Sequence, residues 1–157
     1  MSSSDQRGDG RVLGVDLGER RIGLALTDPS RVLASPHATL ERAAARDVDH
    51  RAIVAAATEA GATCIVIGLP RSLSGDLGPA ARSVLDDVAA ITEIARAVGI
   101  DVDTYDERFS TMIAQRNLRD ATPRRNKRQR AQRERIDASA AAVILQSWLE
   151  RNSPDVG

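Results

Sequence analysis

Hydrophobic and polar positions change their spacing several times along this chain, and each change marks an element. Arg11 to Asp16 and Arg21 to Thr27 are short apolar runs separated by Leu-Gly-Glu-Arg, the pattern of two hairpin strands. Asp28-Pro29-Ser30 is a turn, and Val32 to Pro36 reads as a third short strand, which makes the start antiparallel. From Arg46 to Ala60 the apolar spacing is helical, with Gly61 as the stop. Thr63 to Ile67 is a β-branched run of the kind covered on both faces, and Leu69 to Pro79 is a glycine-containing loop. Ala80 to Val98 predicts an amphipathic helix and Asp101 to Tyr105 a fifth strand. Ser110 N-caps a helix reaching Arg119, and Ile136 to Glu150 forms the last helix.

Three antiparallel strands followed by strand, helix, strand and helices imply an α/β fold. Its five-stranded mixed sheet has the last two strands parallel and helices on both faces. The crossover from Thr63 to Tyr105 should be right-handed. Such sheets bind ligands at strand ends, near a change of strand direction. A chain of 157 residues suits one domain, placed at 11–150 between tails at 1–10 and 151–157.

Composition narrows the classes. With 42% hydrophobic and 28% charged residues and no apolar run near the roughly 18 that a membrane span needs, the expectation is a cytoplasmic protein with no membrane partner. The single cysteine, Cys64, excludes a disulfide framework and a zinc cluster, and its apolar surroundings mark it as inert. His37 and His50 share no ligand spacing and are not expected to be catalytic. The formal net charge is zero, yet between Arg108 and Arg135 ten basic residues face two acidic ones. That basic arm is either a solvated loop or a contact for nucleic acid.

The acids carry the chemistry. Asp16 ends the first strand; Asp106 and Glu107 end the fifth; Asp137 opens the last helix, with Ala141, Ile144, Leu145 and Trp148 at offsets of four, seven, eight and eleven from it. That spacing turns Asp137 towards the core. Taken singly, each acid has an ordinary use: a turn cap, a partner for Arg108, a favourable charge in a first helical turn. Taken together, three or four of them converge on one edge if strands one and five lie near each other in the sheet and the last helix packs across them. Carboxylates about 4 Å apart repel by about 4 kcal/mol at an effective dielectric of about 20, so such a cluster needs cations. An all-oxygen set without cysteine or histidine suits Mg2+ or Mn2+, and paired ions of that kind hydrolyse phosphodiesters.

The segments GVDLGERRIGLALTD, IVIGLPRSLSGDLGP, DERFSTMIAQRNL and IDASAAAVILQSWLE resemble, in this order, the YqgF family of RNase H-like nucleases, also called RuvX or RuvC-like Holliday junction resolvase homologues. The resemblance runs from Val12 to Leu149 and implies an RNase H-like fold and a metal-dependent endonuclease. The substrate it implies is structured RNA, at the 5′ end of pre-16S rRNA, or branched DNA at a Holliday junction. Carried over by motif, the catalytic and metal-binding acids are Asp16, Glu107 and Asp137, with Asp106 as a substitute for Glu107. Contacts to nucleic acid fall to Arg21, to Arg71 in the G-L-P loop, to Arg108, and to Arg124, Arg125, Lys127, Arg128 and Arg130 in the basic run. Phe109-Ser110 stands where leucine-threonine is frequent in the family, a conservative change.

The chain holds one tyrosine, one phenylalanine and one tryptophan, and the strand and helix patterns claim Tyr105 and Trp148 for the core. Without a stacking platform for unpaired bases, a duplex or branched substrate gripped through phosphates is expected. Two other classes compete. A D-x-G hairpin also resembles the phosphate-binding turn of actin-like and sugar-kinase ATPases, but those need two such domains. A catalytically silent nucleic-acid-binding module would keep the basic run and dispense with the acids. Symmetric cutting of a four-way junction would call for a homodimer, whereas trimming one RNA end would not.

Overall fold

The computed structural model describes residues 10–70, 78–107 and 126–152. Strands β1 (Arg11–Leu17), β2 (Arg21–Thr27) and β3 (Ala34–Glu41) pair antiparallel. Strands β4 (Ala62–Leu69) and β5 (Asp101–Asp106) add in parallel on the other side of β1, in the order β3-β2-β1-β4-β5. Helices α1 (Arg46–Glu59) and α2 (Pro79–Ala97) cover one face, and α3 (Lys127–Asn152) crosses the other over β1, β2 and β3. The helix expected from Ser110 lies outside the described residues, as do Arg71, Arg108, Arg124 and Arg125.

Strict alternation sorts the central strands. Leu13, Val15 and Leu17 of β1 join Ile65, Ile67 and Leu69 of β4 under α1 and α2. Val12, Val66 and Tyr105 pack instead against Ala141, Ile144, Leu145 and Trp148 of α3. The α3 face also carries glycines at Gly14, Gly23 and Gly68, and these set how closely the helix approaches. A Cβ at Gly14 would lie 2.8 Å from Leu145 Cβ, and one at Gly68 would meet Ile144 Cδ1 at 2.5 Å. Trp148 is core, as its spacing predicts, and its indole N–H donates to Asp103 at 2.9 Å.

Two elements differ from expectation. The third strand begins at Ala34 rather than Val32, because Asp28 closes the turn first: its Oδ1 accepts the backbone N–H groups of Val32 and Leu33, both at 2.8 Å. Those bonds, the Leu33 amide foremost and then the Ser30 hydroxyl, hold the Asp28 carboxyl well below the usual carboxylate range. The strand then continues to Glu41 through Pro36, which an edge strand tolerates. The last helix begins at Lys127, nine residues before Ile136, so part of the basic arm is helical rather than loop. Asn126 is its cap: Asn126 Oδ1 accepts the Gln129 N–H at 2.9 Å and Gln129 Oε1 accepts the Asn126 N–H at 3.2 Å, a reciprocal capping box. Arg, Lys, Gln and Glu are good helix formers, so nothing stops the helix between that cap and the apolar stripe.

Candidate active site at the sheet rim

Period-two alternation decides which acids can meet. Asp16 lies two residues beyond Gly14 and directly opposite Gly23, and both glycines face α3, so the Asp16 carboxylate also projects under α3. It is fully buried. Asp137 sits in α3 above Gly23: a Cβ there would overlap the Asp137 carbonyl group, whose carbon would be 2.6 Å away. Glu107 follows Tyr105 by two residues and keeps its face, with Oε1 only 2.9 Å from where a Gly68 Cβ would be. Asp106 pairs with Leu69, whose side chain belongs to the opposite core, so Asp106 projects away from the other three.

The helix that begins at Lys127 also changes the standing of Asp137. At the eleventh position of α3 it is neither an N-cap nor a first-turn charge, so those ordinary uses no longer account for it. It is buried, as is Glu107. β1 and β5 are not adjacent; β4 lies between them, and Gly68 of β4 leaves the space through which Glu107 reaches towards β1. None of the three acids is without a partner, and among the described residues no group of three His, Cys, Asp or Glu side chains is drawn together tightly enough to hold a metal ion. By chemistry the set fits a hard cation, since it offers three buried carboxylates on one face and no nitrogen or sulfur donor.

Beside Asp137 opens a cavity of about 870 Å³ at the ends of β1 and β4, bounded by the β1–β2 turn and the start of α2. Arg21 borders it, buried, with Nη1 3.9 Å from Asp137 Oδ2. Of the other nominated phosphate contacts, Lys127, Arg128 and Arg130 are exposed in the first turn of α3.

The far wall holds a buried ion network that sequence reading did not find. Asp87 of α2 accepts from Arg46 and from His50, whose Nε2 is 2.7 Å from Asp87 Oδ1, while Arg42 donates to Asp49 at 2.9 Å and to the Gly18 carbonyl at 2.7 Å. The sequence did carry a signal: Asp87 falls on the same stripe as Val84, Ile91 and Ala95, the kind of spacing that turns Asp137 towards the core. Burial alone would raise the Asp87 carboxyl, but hydrogen bonds from Arg46 and His50 and the charges of Arg46 and Arg42 outweigh it and hold the carboxyl below its ordinary 3.8. Asp87→Asn should therefore destabilise the chain by about 3 kcal/mol at neutral pH, the low end for breaking a buried pair because Arg46 can turn to solvent. A carboxyl with a depressed folded pKa stabilises above its unfolded value and loses that contribution as pH falls through the folded one. Urea unfolding should show the gap between wild type and variant closing below pH 3.8; a gap undiminished in acid would assign the effect to packing. Cys64 is half-buried, and burial pushes its thiol up to about 11, in keeping with an inert residue.

The strand order, the direction change at β1 and the helix across the antiparallel half define an RNase H-like fold. Thermus thermophilus RuvC in complex with a Holliday junction substrate superposes with a TM-score of 0.54 at 13% identity, covering 91% of this chain and 96% of RuvC. A second T. thermophilus RuvC structure gives 0.52. The model of the family described as "RuvX: Holliday junction resolvase" matches residues 10–151, and this chain belongs to that family. A relative from Mycobacteroides abscessus, named "Putative pre-16S rRNA nuclease", is 42% identical over 147 residues, covering 94% of this chain and 85% of the relative. One of the same name from a Roseiflexus species is 40% identical over 141 residues, covering 90% and 94%.

Proposed function

We propose that this chain is a divalent-metal-dependent endonuclease that processes the 5′ end of pre-16S rRNA in the cytoplasm. The observation that carries the reading is the projection of three buried carboxylates, Asp16, Glu107 and Asp137, from one face of the sheet beside an arginine-lined cavity. Membership of the family and the names of the relatives support hydrolysis of nucleic acid. Asp16, Glu107 and Asp137 are the residues that would hold Mg2+ or Mn2+. The chemistry such ions supply is activation of the attacking water and stabilisation of the leaving oxygen. Asp106, aimed at the opposite face, is not assigned to the set.

The protein's own contribution is positioning. Tyr105 and Trp148 are buried, so among the described residues no aromatic platform reads unpaired bases. Lys127, Arg128 and Arg130 in the first turn of α3 supply charge for a phosphate backbone. Recognition then rests on charge and shape, with low sequence specificity and a steep dependence on salt. No helix among the described residues is long and apolar enough to cross a membrane.

A second reading, resolution of four-way DNA junctions, is favoured by the fold likeness to a RuvC bound to such a junction and by the family's description. It would need a homodimer to place two sites symmetrically. The deciding assay offers the purified chain a precursor rRNA fragment and a four-way DNA junction, with Mg2+, with Mn2+ and with chelator. Metal-dependent cleavage of the rRNA fragment, falling steeply as salt rises, is expected. Cleavage of the junction alone would favour the resolvase, and metal-independent binding without cleavage of either would leave a silent binding module.

A further inference from the structure

Arg21 is buried to within 8% of its surface, yet its Nη1 has no hydrogen-bond acceptor among the described residues. The Asp137 carboxylate at 3.9 Å neutralises part of its charge but is too distant to accept a hydrogen bond. A buried guanidinium N–H left unmade is costly, and here it borders a cavity of about 870 Å³, large enough for a nucleotide. Arg20 and Arg133 border the same space, Arg133 while also engaging a neighbour, and the one further acid on the lining, Glu19, lies in the exposed β1–β2 turn. Arg42 and Asp87 do so as well, but both are committed to the neighbouring ion network.

The start of α2 closes the opposite side. Pro79 and Ala80 border the cavity, the N-cap Gly78 offers no side-chain bond, and the first turn holds no acid. A 19-residue helix thus presents its positive end, with no side-chain cap among the described residues, to the same space as the Arg21 guanidinium. Of the three acids assigned to the metal site only Asp137 touches the cavity. A cation held by Asp137 would compete with Arg21 for that carboxylate and leave the guanidinium to another anion.

We infer that this cavity is a phosphate subsite, distinct from the carboxylate set. In it Arg21, flanked by Arg20, Arg133 and the first turn of α2, takes a phosphate of the substrate strand near the scissile bond. The inference rests on the nuclease reading for the identity of the strand, but the anion site can be tested without metal or cleavage. Arg21 is then a positioning residue, fixing the strand so that a neighbouring phosphodiester reaches Asp16, Glu107 and Asp137.

The test is thermal unfolding of the full chain in chelator at constant ionic strength. Its two probes are inorganic phosphate, standing for a strand end, and a dinucleoside monophosphate, standing for an internal diester. A saturable rise in Tm with either probe, weakened about tenfold or more in Arg21→Met and partly retained in Arg21→Lys, supports the subsite. The better probe identifies which kind of phosphate it takes. Should Arg21→Met fail to fold, Arg20→Ala at the exposed turn carries the test, with a threefold or greater weakening expected. No saturable rise with either probe, or a rise that the available variant leaves unchanged, overturns it. Phosphate binding without metal-dependent cleavage would instead keep the subsite and refute the nuclease.

Discussion

Asp16→Asn is expected to cripple cleavage and leave the fold as stable as the wild type, or more so. Asp16 is fully buried beneath α3, where an ionised carboxylate is expensive, and asparagine keeps its shape and an acceptor oxygen for the neighbours Asp16 engages. In chelator the variant should therefore melt at or above the wild-type temperature. Millimolar Mg2+ or Mn2+ should raise the wild-type midpoint and not the variant's, because an ion that binds only the folded site stabilises it by linkage. The cleavage rate should fall on the order of a thousandfold, equivalent to about 4 kcal/mol of lost transition-state stabilisation. The opposite signs on stability and activity give the test its force. Wild-type cleavage by the variant, or a marked loss of stability without metal, would make Asp16 an ordinary structural acid.

The parts of this site that could be read in advance are those governed by local periodicity. Asp16 at the end of an apolar strand and Asp137 on an apolar helical stripe both announce burial through spacing alone. The choice between Asp106 and Glu107 could not be made so, because it depends on which residue of β5 pairs with Leu69 and which helix lies above. β3 was misplaced because an edge strand with one open side carries little apolar alternation, and a side-chain cap at Asp28 delayed its start. The start of α3 was missed for a different reason. Asn126 and Gln129 form a capping box, a local signal, but it opens a run of arginines that lacks the apolar periodicity by which a helix is read. Pairings such as Asp87 with Arg46 and His50, or Arg21 with Asp137, join residues of different elements, and only the tertiary structure brings them together.

Among the described glycines, Gly23→Ala should add the most disruptive single methyl. The added carbon would overlap the Asp137 carbonyl group, and both partners are backbone held in regular elements, so neither can swing aside as a side chain could. Either α3 lifts from β2 or β2 bends away, and overpacking of that kind costs about 3 kcal/mol. For a chain of this size that lowers Tm by roughly 6 to 12 °C. Because Gly23 is also the cross-strand neighbour of Asp16, the displacement falls on the spacing between Asp16 and Asp137. Cleavage should drop by about a hundredfold even where the variant is fully folded, as expected for a shift of about 1 Å at reacting groups. Gly61→Ala is the control: nothing lies within 4 Å of the added carbon, and only the positive φ of 73° opposes it. That strain costs about 1 kcal/mol, and the cleavage rate should not change. If Gly23→Ala behaves like Gly61→Ala, the close seat of α3 on β2 does not set the geometry of the acids, and their common face would be a consequence of packing rather than of catalysis.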